Sequence, residues 1–279
     1  MGGETVAFVL GGGGQLGAHE VGMLRALLER AIVPDLVVGT SVGAINGAAV
    51  AAEPSVAMVA RLTEIWSAIE RGDLFAGSLL RRLGTLARTG THLHGNDRLR
   101  DLLTAGLPVA TIEALPVRFQ CVAASIERSA EHWFTEGPLV DAVLASAAVP
   151  GILPPVRVGA EHFLDGGIVN SIPVGRAAQL GAMEIYVLHV GRLDRALTPP
   201  RWPWEVGLVA FEIARRHRFL GDLESLPGSI AIHVMPTGQP EAPRYNDLSQ
   251  LRYRPSSGVA ESIERAYRAS LAYLEELGR

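Results

Sequence analysis

The chain has 279 residues, 48% of them hydrophobic, which is enough to bury a large core and excludes a disordered chain. Its formal charge of -4 gives no basic footprint for nucleic acid, so no nucleic-acid partner is expected. All 25 basic residues are arginine, and the absence of lysine excludes Walker phosphate loops, Schiff-base chemistry and Ser-Lys dyads.

The N-terminal stretch MGGETVAFVL has no basic region and too short an apolar run for a secretory signal, and a strand is predicted there instead. No apolar run reaches the roughly 18 residues of a membrane-spanning helix. A cytoplasmic protein is expected, peripheral at a membrane at most. In chain order, strands are predicted at Val6–Leu10, Leu36–Val38, Phe119–Ser125, His132–Thr135, His162–Leu164, Ile185–Val190 and Ile230–Val234. Helices are predicted at about Gly17–Arg30, Ala44–Ala52, Val56–Arg71, Leu99–Ala105, Leu139–Ala148, Val174–Leu180, Trp204–Leu223 and Gly258–Leu277. Strands alternating with helices predict an α/β fold, a mainly parallel sheet with helices on both faces. There is no repeat and no dividing linker, so 1–279 reads as one domain, with a motif-bearing core at about 5–195 and a C-terminal strand and helices at about 200–279. The Gly- and Pro-rich segments around 197–204 and 236–247 read as surface loops. Residues 72–98 mix apolar clusters with arginines and glycines and read as an excursion over a site.

The first chemical signal is GTSVG, residues 39–43, a G-x-S-x-G pattern between a predicted strand and a predicted helix. Gly39 and Gly43 flank Ser41, where a strained turn leaves no room for a Cβ on its neighbours. Glycine-rich strand-to-helix turns are common in α/β folds, so the pattern needs partners before the serine reads as a nucleophile. The second signal is GGGGQLG, residues 11–17, which also contains G-x-G-x-x-G as Gly12, Gly14 and Gly17. Exposed amides at a helix start stabilise negative charge, whether phosphate or the oxyanion of an acyl intermediate. A dinucleotide site is therefore a rival, with Asp35 as its ribose ligand, although Asp35 precedes the second strand instead of following it.

A serine needs a base. Asp165, before Gly166 and Gly167, could deliver a carboxylate to the same sheet edge, or belong to a solvated Asp-Gly turn. The histidines are not compelling: His189 and His233 lie in strands, His217 on a polar helix, His92 and His94 lack a third metal ligand, and His19 beside the glycine loop reads as capping or packing. No metal site is expected. Cys121, the single cysteine, sits in an apolar run, allows no internal disulfide and reads as a buried hydrophobe.

GGGGQLG, GTSVG, the segment SAAVPGILPPV and DGG together, over about residues 8–175, resemble the patatin-like phospholipases. The resemblance implies a three-layer α/β/α fold, no cofactor, and a Ser-Asp dyad in which Ser41 attacks an acyl carbonyl and Asp165 takes its proton. It also implies an oxyanion hole from the amides around Gly12, Gly13 and Gly14, and a lipid or fatty acyl ester as substrate. The turn at Val149–Pro155 would lie near the acyl channel. One position departs from the family pattern, Leu16 standing where an arginine is usual, which suggests a more apolar mouth. A lipid substrate requires access to an interface, and Trp204–Leu223, with apolar residues and Arg215, Arg216 and Arg218, reads either as a membrane-surface helix or as one packed on the core. Three readings stand at this point: a serine acyl hydrolase of (lyso)phospholipids or related lipids, a nucleotide-binding oxidoreductase, and a catalytically idle lipid-binding protein of the same fold.

Overall fold

The strands at the centre of the sheet send alternate side chains into two separate cores. In β1 (Val6–Leu10), Phe8 and Leu10 point into one core and Ala7 and Val9 into the other, and all four are fully buried. The computed structural model describes residues 5–70, 92, 94–190, 196–239 and 258–279. After β1 come the glycine loop, a short 3-10 turn at Gly14–Gly17 and α1 (Ala18–Glu29). Next are β2 (Leu36–Thr40), α2 (Val42–Ala52), α3 (Val56–Glu70) and α4 (Asp97–Gly106). The middle of the chain forms β3 (Arg118–Ser125), β4 (Ala130–Phe134), α5 (Leu139–Ser146), β5 (Val156–Val158) and β6 (Glu161–Asp165). The remainder is α6 (Val174–Gln179), β7 (Glu184–Leu188), α7 (Pro203–Ser225), β8 (Ala231–Val234) and α8 (Val259–Glu276).

The sheet runs β5-β6-β3-β2-β1-β7-β8, with β4 also paired to β3. Strands β3, β2, β1, β7 and β8 are mutually parallel, while β4, β5 and β6 join antiparallel at one side. The expected α/β fold is therefore present as a mixed sheet with a parallel centre. One core lies under α1 to α5 and α8, the other under α6 and α7, as a sheet buried on both faces requires.

The register on β3 positions the site. Cys121 and Val122 pair with β2 on one edge and β4 on the other, whereas Ala123 to Ser125 pair with β4 and β6. Strand β6 thus takes over the edge that β2 leaves, and the two abut end to end. Thr40 pairs with Val122 and Asp165 with Ala123, so the residue after Thr40 meets Asp165.

Element types agree with expectation, and most ends shift by one or two residues. Strand β5 was not expected: three residues between Pro155 and Gly159 are too few to show alternation, and they become a strand by pairing with β6. Helix α2 starts at Val42, two residues before its first alanine run, because the tight turn at Ser41 starts it. The supposed excursion lies outside the described residues over 72–91 and 93, and its end forms the start of α4. The surface-loop reading at 240–247 also falls outside them.

Helix α8 presents Val259, Ile263, Ala266 and Leu274 to the core at helical spacing, and lies along α1. Truncating the fully buried Leu274 to alanine is expected to cost about 2–5 kcal/mol. Urea unfolding checks this as a lower midpoint with an unchanged slope.

Candidate active site

Ser41 joins β2 to α2 with φ 56° and ψ -123°, a conformation that costs a residue with a side chain on the order of 1–3 kcal/mol. The surroundings hold it there: its amide donates to Ser146 Oγ at 2.9 Å, and its carbonyl accepts the amide of Ala44 at 2.9 Å. Gly43, in the first turn of α2, must be glycine because a Cβ would stand 2.3 Å from the Leu10 carbonyl oxygen. Gly39 lies one residue before the end of β2.

Ser41 Oγ donates to Asp165 Oδ2 at 2.6 Å, and both residues are 6% exposed. The other carboxylate oxygen, Oδ1, accepts the amide of Gly167 at 2.7 Å. Asp165 is therefore not a solvated turn residue. Gly166 lets the turn pass β3, since a Cβ there would sit 2.1 Å from the Val122 carbonyl oxygen. Burial pushes the Asp165 carboxyl up to about 6, while the Ser41 hydroxyl and the Gly167 amide hold it back.

The glycine loop passes directly against this pair, a Cβ on Gly12 falling 3.4 Å from that of Ser41. Gly12, one of the three glycines expected around an oxyanion, however donates its amide to the Ser171 carbonyl at 2.9 Å. Gly14, with φ 57°, lines the cleft above Ser41, and Gly13 precedes it. The loop is braced without an arginine. The Leu16 amide donates to the Gly13 carbonyl at 3.2 Å, and His19 Nδ1 lies 2.9 Å from the Leu16 carbonyl. Burial keeps His19 below its ordinary pKa; it ties the loop, as its position suggested.

Residues 170–174 act as a tie that sequence reading missed. The Asn170 carbonyl accepts the Thr40 hydroxyl at 2.8 Å, and Ser171 holds Gly12, so one segment after Asp165 fixes both β2's end and the glycine loop. A second missed group lies under the loop. Asn46 donates to the Gly17 carbonyl and to Glu20 Oε2 at 3.0 and 2.8 Å, and accepts Trp66 Nε1 at 3.0 Å. Glu20 is fully buried, which raises its pKa well above the usual carboxylate range. The available signal was two polar residues, Glu20 and Asn46, inside otherwise apolar helical runs.

The space over Ser41 is an apolar cleft of about 520 Å³ including its open mouth. Its walls include Val42, Ile45, Ile65, Trp66, Leu99 and Leu153. Val149 and Leu153 reach it from the Pro-rich turn. Asp35 lies at the opposite end of the sheet, accepting the Val6 amide at 2.9 Å, so the glycine loop has no acidic ribose ligand there. This removes the geometric basis of the dinucleotide reading.

Residues 8–178 match the family model described as patatin-like phospholipase. The chain belongs to this family. The patatin-like phospholipase domain-containing protein ZK370.4 of Caenorhabditis elegans is 33% identical over 204 residues, covering 69% of this chain and 14% of that protein. Lysophospholipase nte1 of Aspergillus terreus is 30% identical over 200 residues, covering 69% of this chain and 12% of that protein. The chain thus spans a small fraction of these relatives' length. VipD from Legionella pneumophila shares the fold, with a TM-score of 0.50 at 14% identity over 98% of this chain and 67% of that one. Among the described residues of this patatin-like chain, no helix is long and apolar enough to cross a membrane.

The Asp165 carboxyl also has a consequence for stability. Its folded pKa of about 6 lies above the ordinary 3.8, so the fold disfavours the ionised form: the cost is absent below about pH 4 and complete above about pH 6. At about 1.4 kcal/mol per pKa unit it amounts to at most about 3 kcal/mol. Asp165→Asn is therefore expected to be more stable than wild type near pH 8, with the difference closing by about pH 4, as read from urea midpoints at both values.

Proposed function

We propose that this protein is a serine acyl hydrolase acting on fatty acyl esters of lysophospholipids, phospholipids or related lipids. The observation that carries the reading is the 2.6 Å hydrogen bond from Ser41 to a buried Asp165 at the floor of an apolar cleft. Family membership supports the reaction class, and the relative named a lysophospholipase points to lysophospholipid as substrate.

In this mechanism Ser41 Oγ bonds to the acyl carbonyl carbon as its proton passes to Asp165 Oδ2. The charge on the carbonyl oxygen is taken up by the amides of Gly13 and Gly14, each donor contributing about 3–4 kcal/mol, with the N-terminus of α2 adding its positive dipole end. Collapse breaks the ester C–O bond, and Asp165 returns the proton to the departing alcohol. Water then attacks the acyl-enzyme, giving its proton to Asp165, and the fatty acid leaves as Ser41 regains its hydrogen. No imidazole is required, because a dry carboxylate near pKa 6 is a stronger base than an exposed one.

Ser41→Ala and Asp165→Asn are each expected to lower acyl-ester turnover by more than about a thousandfold with circular dichroism unchanged. A fluorophosphonate probe should label the wild type and not Ser41→Ala. Labelling absent from the wild type would favour the idle lipid-binding reading. The wild-type kcat/KM is expected to rise with pH through about 6 as Asp165 ionises.

Contact with a lipid surface belongs to the same proposal, and α7 supports it. Three of its charged residues turn inward, Glu212 lying between Arg215 and Arg216 at 2.7 and 2.8 Å with all three side chains largely buried. Val206, Phe211, Ile213 and Leu220 are each 42–55% exposed, while Phe219 packs into the core. Phe211 also touches the active-site turn, its ring 3.3 Å from where a Gly167 Cβ would be. Val206→Glu and Ile213→Glu are each expected to weaken co-sedimentation with phosphatidylcholine vesicles about tenfold without changing hydrolysis of a soluble short-chain ester.

A further inference from the structure

The glycine loop rests on a buried polar chain that joins three helices, Glu20 of α1, Asn46 of α2 and Trp66 of α3. Asn46 Nδ2 donates twice, to the Gly17 carbonyl and to Glu20 Oε2, while Asn46 Oδ1 accepts Trp66 Nε1. The far end of the loop is therefore tied to the carboxyl. At the near end, the Gly11 amide donates to the Leu188 carbonyl at 3.0 Å and also interacts with the Glu20 carboxyl, holding its pKa back. Glu20 thus meets Gly11 directly and Gly17 through Asn46. Trp66 and Val42 press on Gly17 as well, since a Cβ there would lie 2.8 Å from Trp66 Cζ2 and 2.4 Å from Val42 Cγ2. Both side chains line the cleft over Ser41.

We propose that Glu20 and Asn46 are positioning residues, a clamp on both ends of the glycine loop that sets its middle amides toward Ser41, with Trp66 joining the clamp to the cleft. This rests on the acyl-hydrolase reading above. A fully buried acid costs stability that an apolar side chain of similar size would not, and the partners it finds here are one end of the loop and the residue that holds the other. Between the clamped ends the chain turns at Gly14, with φ 57°, so the direction of the Gly13 and Gly14 amides depends on where Gly11 and Gly17 are held. Burial favours the protonated form of Glu20. Glutamine matches that neutral form in shape and can accept the same Asn46 hydrogen.

Methionine has nearly the length of glutamine and lacks its amide, so the two substitutions at position 20 separate positioning from packing. With p-nitrophenyl butyrate as probe, Glu20→Met is expected to lose about tenfold or more in kcat while KM changes by less than about twofold. Glu20→Gln should recover most of that loss. A role in packing alone predicts the opposite, because the methionine variant buries no acid and would be as stable and as active as the glutamine one. Trp66→Phe keeps a ring in the cleft wall and removes the donor to Asn46, so a smaller fall in kcat is expected. That variant decides the matter if Glu20→Met shows no cooperative urea transition, and an unchanged kcat in it then overturns the inference. Equal kcat in the two variants at position 20, or a loss confined to KM, overturns the inference alone. A wild type that neither hydrolyses the butyrate nor reacts with the fluorophosphonate probe overturns the acyl-hydrolase reading and the inference with it.

Discussion

Two strands that meet end to end along one edge of β3 bring the Ser41 hydroxyl to the Asp165 carboxylate. Strand β2 delivers the serine as it stops at Thr40, and β6 arrives antiparallel, its last residue paired with the next position of β3. Any slip of one residue in either register would turn the side chain to the other face of the sheet. The 2.6 Å contact is thus set by backbone hydrogen bonds, across 124 residues of sequence. The segment after Asp165 closes the arrangement by holding β2's end and the glycine loop together.

Several local costs are concentrated here and offset by the rest of the fold. Ser41 adopts a strained backbone, Asp165 is buried with its pKa raised, and Glu20 is buried beneath the loop. Each would be destabilising alone, and each is held by a sheet whose two faces are filled with apolar side chains. For the proposed chemistry two of these features are useful: a turn that holds the hydroxyl against the carboxylate and a base freed from water. The apolar cleft and the exposed apolar residues of α7 extend this economy of water from the reacting atoms to the lipid they would meet.

Much of this was legible residue by residue. The glycine loop, the G-x-S-x-G turn and the D-G-G turn stand where the chain changes from strand to loop, and glycine is needed there for close approach. The departure at Leu16 was visible too, and the loop turns out to be braced by its own backbone and His19. Other parts carried no usable signal. Strand β5 is too short to have a period. The commitment of Gly12's amide depends on a carbonyl 159 positions later in the chain, at Ser171. The direction of α7's faces was ambiguous because its arginines could equally have faced solvent, and the Glu212 pairs drew two of them inward.

By itself the sequence determined the alternation of strands and helices, the absence of lysine chemistry, and the three glycine-marked turns, because each depends on neighbours within a few residues. The tertiary structure alone decided that Ser41 and Asp165 share a hydrogen bond, that Asp35 is at the far end of the sheet, and that the Gly12 amide is given to Ser171. Those outcomes depend on strand order and register, and these are fixed by packing both faces of one sheet at once, a condition no local stretch of chain can express.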